Sequence, residues 1–119
     1  MKKPRDIHQG DSVFIYETQT NPGYEENGRI ITRPIGRKGV IALVTVNDEI
    51  QQHDHPQEKL EDGTLHEWNY IAKTHLEREC YIPLDRVRQA LGWLNWCARG
   101  YSGIWELSPE QFVRLVALI

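Results

Sequence analysis

The run Val40-Ile41-Ala42-Leu43-Val44-Thr45-Val46, entered from Gly39, is the stretch of this chain with the least conformational choice. Five of its seven residues are β-branched, which handicaps a helix and suits a pleated strand. A strand with one wet face alternates apolar and polar residues. An almost unbroken apolar run predicts instead a strand covered on both faces, at the middle of a sheet. Seven residues fall far short of the ~20 that a bilayer span needs, and no longer apolar run occurs elsewhere, so no membrane segment is expected.

The rest of the chain supplies pieces to place around that strand. Ser12-Val13-Phe14-Ile15-Tyr16-Glu17, entered from Gly10-Asp11, reads as a second strand. Residues 18–28 are polar with the single aromatic Tyr24 and read as a long loop, and Arg29-Ile30-Ile31-Thr32 as a short strand ended by Pro34 and Gly36. Residues 47–67 carry seven acids against Lys59 alone and no apolar stripe, which predicts an excursion outside the core. Near-alternation of Trp68, Tyr70 and Ala72 predicts a strand over residues 68–76. Leu84, Val87, Ala90 and Leu91 share one face of a short helix that starts at Pro83 and stops at Gly92. Residues 103–107 read as a last strand. Ser108-Pro109-Glu110-Gln111 carries a capping box with proline at the first helical position, and Phe112, Leu115 and Val116 should then face the core.

A chain of 119 residues makes one domain, 1–119, and has no room for a second. Hydrophobic residues at 39% and charged residues at 26% belong to a folded globular protein rather than a disordered one. The fold class expected is α+β: a small mixed sheet curled into a partial barrel, with two short flanking helices. A core of this size leaves only shallow sites.

Charge and chemistry narrow the function. The net charge of −3 gives no global positive field to draw the protein onto nucleic acid or anionic lipid, so recognition must be local. Residues 29–38 hold Arg29, Arg33, Arg37 and Lys38 with no acid. They form either a solvated hairpin or a loop that contacts phosphates, whose oxygens suit arginine forks. Cys80 and Cys97 match neither a disulfide framework nor a metal pair, and the opening MKKPRDIHQG has no apolar run of a signal peptide, so a cytoplasmic protein with reduced thiols is expected. His53-Asp54-His55 and His66 lack a spaced third ligand, so no metal site is predicted. Neither cysteine sits beside an identifiable base, and no nucleophile elbow or phosphate-cradling glycine loop precedes a helix. No catalytic residue, enzyme activity or cofactor is expected.

Gly10-Asp11-Ser12-Val13-Phe14-Ile15-Tyr16 followed by Gly39-Val40-Ile41-Ala42-Leu43-Val44-Thr45-Val46 resembles the G-D-x-V-x-x-Y and G-x-x-A-x-x-x-V text of EVE domains, members of the PUA-like superfamily with the YTH and ASCH domains. Trp68, Ile82-Pro83-Leu84, Arg99-Gly100 and Leu107-Ser108-Pro109-Glu110-Gln111-Phe112 continue the likeness in order, over residues 8–118. Such domains usually open with an apolar strand, whereas nine residues precede Gly10 here, so the usual first strand is lacking. The resemblance implies a PUA-like barrel and a pocket for one flipped base, often modified, of DNA or RNA.

A base needs aromatic faces, each worth roughly 1–3 kcal/mol, and edge hydrogen bonds. The resemblance carries best to Tyr16, Trp68 and Ser102; Thr18, Tyr70, Tyr101 and Trp105 complete the aromatic and polar set, and Arg99 joins the four basic residues as a phosphate contact. The alternative use of these rings is core, since the four Trp, five Tyr and two Phe of a small domain supply much of its apolar area. Trp93 and Trp96 either pack beneath the barrel or, if exposed, mark a partner surface.

A rival function is a protein-interaction or homo-oligomerisation module on the same fold, its open sheet edge completed by another chain. A third is a small hydrolase or nuclease working through the histidine loop.

Overall fold

A computed structural model describes residues 6–52, 57–59, 65–67, 70–97 and 103–119; for residues 52, 57–59, 65–67, 70 and 71 it describes the backbone alone. In chain order the strands are β1 (Ser12–Glu17), β2 (Gly23–Glu26), β3 (Arg29–Thr32), β4 (Gly39–Val46), β5 (Gln51–Gln52), β6 (Gln57–Lys59), β7 (Leu65–Glu67), β8 (Tyr70–Ile71) and β9 (Thr74–Pro83). The helices are α1 (Leu84–Leu91) and α2 (Pro109–Val116). The fold is α+β.

The apolar run is β4, and it lies in the middle of a three-stranded sheet of order β1-β4-β9. Its register against β9 shifts between Val40 and Ala42 and again between Leu43 and Val44, with the extra residue on β9 each time. Val40 joins the helix-side core with Ile82, Val87, Leu91 and Leu115, while Val44 and Val46 are buried outside that cluster.

Every described strand pair is antiparallel, so the sheet is not mixed, and the strands form an open sheet with three two-stranded ribbons. Residues 18–28 are not all loop: β2 pairs with β3 through a two-residue Asn27-Gly28 turn in which both φ angles are positive, 52° and 76°. Asn-Gly is the pair that such a hairpin turn favours. Residues 47–67 contain ribbon strands: β5, which pairs with β8 just beyond the segment, and β6 and β7, which pair with each other. Of the strand expected over 68–76, residues 68 and 69 lie outside the described residues, Tyr70–Ile71 form β8, and β9 starts at Thr74 and runs on to Pro83 with side chains that are mostly exposed. Pairing to β4 holds most of it, and Ile82 near its end is buried in the core. Residues 103–107 form no strand, and only Ile104 makes a bridge.

Both helices follow the sequence signals. Leu84, Val87 and Leu91 are the buried face of α1, and Gly92 ends it in the left-handed conformation at φ 71°. Ser108 Oγ accepts from the Gln111 amide at 3.2 Å, and the Ser108 amide donates back to Gln111 Oε1 at 2.9 Å. Gln111 also reaches across to α1, where its Nε2 donates to the Leu91 carbonyl at 2.8 Å, and Arg114 donates to the Ala90 carbonyl at 3.3 Å. Side chains of α2 thus satisfy carbonyls that the end of α1 leaves unpaired. Leu115 is buried and Phe112 packs on Phe14 at 5.2 Å, whereas Val116 is exposed, contrary to the sequence reading, because it lies off the face that meets α1. No helix among the described residues is long and apolar enough to cross a membrane.

Because Gln111 serves both its own cap and the end of α1, Gln111→Leu should destabilise more than Ser108→Ala. We expect about 1 kcal/mol for the serine and about 2 kcal/mol for the glutamine, measured as shifts in urea midpoint at constant slope.

Candidate functional site

Two neighbourhoods of the described structure hold residues that the sequence singles out. The first is the loop Gly36-Arg37-Lys38-Gly39, between the Thr20–Ile35 bridge and β4. Four of its backbone polar groups are held by partners outside it. Gln19 Nε2 donates to the Gly36 carbonyl at 3.2 Å, Glu17 Oε1 accepts the Arg37 amide at 2.6 Å, and Tyr81 Oη donates to the Arg37 carbonyl at 2.7 Å. The Leu84 amide at the start of α1 donates to the Lys38 carbonyl at 3.1 Å.

The two glycines are required on separate grounds. Gly36 adopts φ 98°, where a β-carbon would also strike the Thr18 carbonyl. At Gly39 a β-carbon would collide with the Ile82 carbonyl and approach the Tyr81 ring to 2.8 Å. Two cationic side chains are therefore displayed from a backbone with little freedom.

Arg37 and Lys38 line a cleft of about 250 Å3 with Gln19, Tyr81 and Asp85, and Pro83 and Leu84 supply its apolar part. The Arg37 guanidinium lies 3.7 Å from the Glu17 carboxylate, an exposed pair. Lys38 has no side-chain partner among the described residues. The cleft can accept an anion on its basic side, and its size suits a small charged group better than a whole nucleotide, since pockets for drug-sized ligands run to ~300–1,000 Å3.

The second neighbourhood is aromatic. Tyr16 meets Trp96 edge-on at 5.1 Å and 83°, and Trp96 meets Trp105 edge-on at 5.3 Å and 88°. Trp93 lies 6.2 Å from Trp96. Tyr16, Trp93 and Trp96 pack against the buried cluster, so the core alternative describes these rings. Edge-to-face contacts are favourable in themselves. They leave no parallel pair of faces among these rings to sandwich a flat heterocycle. Trp96 Nε1 is buried with no hydrogen-bond partner among the described residues, while its carbonyl accepts from Arg88 Nε at 2.7 Å. Burial pushes the Tyr16 phenol above its usual pKa, with Cys97 acting in the same direction and Arg88 opposing.

The other singled-out residues are dispersed. Thr18 is half-buried behind Gly36, and Arg29 is exposed on β3. Arg33 pairs with Glu26 at 3.8 Å and lies over the Tyr24 ring at 5.8 Å, on the β2–β3 hairpin rather than in the cleft. Trp68, Arg99, Tyr101 and Ser102 lie outside the described residues, as do His53 and His55. Tyr70 is described only as backbone, paired with Gln52. Sequence reasoning missed Glu17, Gln19 and Tyr81 as site residues. Tyr81 had a usable signal, because it precedes the Ile82-Pro83-Leu84 helix start and so had to lie near the sheet end from which α1 departs.

Neutral Tyr16 is favoured by folding, so its contribution to stability is present below the unfolded phenol pKa near 10.0 and is lost as pH rises through the higher folded value. Tyr16→Phe should match the parent at neutral pH and resist unfolding better above about pH 10, in denaturant melts taken across that range. Equal alkaline sensitivity would place the lost stability on other groups. No protein-family model matches this chain, and no curated protein or solved structure matches it.

Proposed function

We propose that this chain is a non-catalytic nucleic-acid reader of the cytoplasm, with the EVE-like organisation that its sequence resembles. On this reading the open β1-β4-β9 sheet is one side of a PUA-like partial barrel, and the domain takes a single, modified base of DNA or RNA. This reading assigns the base pocket to Trp68, Tyr70, Tyr101 and Ser102 together with Tyr16, Thr18 and Trp105, and the rings of Tyr16 and Trp105 each meet Trp96 edge-on. The observation that carries the reading is the cationic pair Arg37 and Lys38, held on a glycine-locked loop at the rim of a cleft. Arg29, Arg33 and Arg99 are the further phosphate contacts of this reading.

Phosphate contacts announce themselves through salt. On a single strand each adds about 0.7 to the slope of log affinity against log salt. The double change Arg37→Gln, Lys38→Gln should therefore weaken binding to both methylated and unmodified oligonucleotides and flatten the slope by about 1.4. Fluorescence titration at several salt concentrations measures both effects. Failure of the parent protein to bind any oligonucleotide at low salt overturns the reading.

The second reading is self-association through the sheet edge. Among the described residues β1 is an edge strand with no charged residue from Ser12 to Tyr16, whereas the opposite edge, β9, carries Glu77, Arg78 and Glu79. Charged side chains guard an edge against pairing and their absence invites it. Sedimentation decides: a stable dimer that Ile15→Lys converts to monomer favours self-association, and a monomer at all concentrations removes it.

A further inference from the structure

The cleft beside residues 36–39 is not uniformly basic. Sharing its lining with Arg37 and Lys38 are groups with spare acceptor capacity and few spare donors. Tyr81 uses its only O–H on the Arg37 carbonyl, and Gln19 commits an amide N–H to the Gly36 carbonyl while keeping its own carbonyl oxygen. Asp85 accepts only, is 91% exposed, and has a single loose ion pair with Arg88 at 3.9 Å. Its lone pairs are largely open to a ligand.

We infer that this cleft holds one backbone phosphate together with the neighbouring ribose 2′-hydroxyl, so that the strand it prefers is RNA rather than DNA. The inference rests on the nucleic-acid reading and refines it. A phosphate oxygen only accepts hydrogen bonds, and a carboxylate beside it is repulsive unless a donor stands between them. The sugar group next to a backbone phosphate that can donate is the 2′-hydroxyl, which is also what separates RNA from DNA at a site. Arg37 and Lys38 take the phosphate, and Asp85, with Tyr81 Oη, accepts from the hydroxyl. A cleft of about 250 Å3 has room for a phosphate and part of its sugar, and the base stays outside it. Deoxyribose in the same place leaves Asp85 facing the phosphate with nothing to accept.

The test compares one single-stranded sequence made as RNA, as DNA and as 2′-O-methyl RNA, titrated by fluorescence anisotropy at low salt. The methylated strand keeps ribose geometry and removes the donor. RNA should bind about threefold to tenfold more tightly than either of the others, the size of one net hydrogen bond. Asp85→Ala should bring all three strands together by weakening RNA and strengthening DNA. Asp85 also lies in the first turn of α1, where a negative charge favours the helix. If the alanine variant does not fold, Asp85→Asn carries the test: its DNA affinity should rise and the gap should narrow. Equal binding of RNA and DNA by the parent overturns the inference and leaves the nucleic-acid reading standing, as does a gap unchanged in either variant. No binding of any strand overturns the reading itself.

Discussion

The close approach of Gly39 to its neighbours is the contact on which the rest of this structure depends. In register it stands opposite Glu17 of β1 on one side and Pro83 of β9 on the other, so all three strands of the main sheet converge there. No side chain fits between its α-carbon and the Ile82 carbonyl. One residue before it, the Lys38 carbonyl receives the first amide of α1. Sheet end, basic loop and helix start are therefore joined through a single backbone segment. Whatever holds β4 against β9 also sets where Arg37 and Lys38 stand.

The helical layer is tied down by a comparable economy. A helix of eight residues, such as α1 or α2, is too short to be stable alone, so each relies on packing and on its ends. Val87, Leu91 and Leu115 supply the packing, in contact with Val40 and Ile82 of the sheet. Gln111 and Arg114 supply the ends by spanning from α2 to the last carbonyls of α1. The aromatic group around Trp96 extends the same core toward Tyr16 of β1. Those rings serve cohesion first, and this makes Tyr16 a poor stacking face although it sits on a strand next to the cleft.

Legibility followed burial. Ser12–Glu17, Gly39–Val46 and both helices could be read because apolar periodicity or a cap marked each of them. Arg29–Thr32 could be read as a strand and is β3, whereas its partner β2 and the first part of β9 are held by main-chain pairing with side chains largely in water, so they leave no hydrophobic pattern. Asn27-Gly28 was the available clue to the hairpin, and the polar text around it outweighed it. At the site, Arg37 and Lys38 were legible as a charge run. The partners that fix them, Glu17, Gln19 and Tyr81, come from positions far along the chain and could be found only once the strands were in register. Asp85 lies in the first turn of α1, where an acid is ordinary, and this conceals its place in the cleft.

The charge distribution adds a constraint on how such a site can work. With a net charge of −3 and a strongly acidic segment over residues 47–67, the protein does not accumulate polyanions through a long-range field. At physiological salt the Debye length is about 8 Å, so a strand responds only to the charges it touches. On the nucleic-acid reading, background affinity for arbitrary strands would be correspondingly low. Discrimination would then fall to a few short-range contacts, one carboxylate and two cations among them. A fixed backbone matters most under those conditions, because a loop free to rearrange would let the cations seek any phosphate and the carboxylate turn away. On that reading the glycines that lock residues 36–39 are as much a part of selectivity as the charges they present.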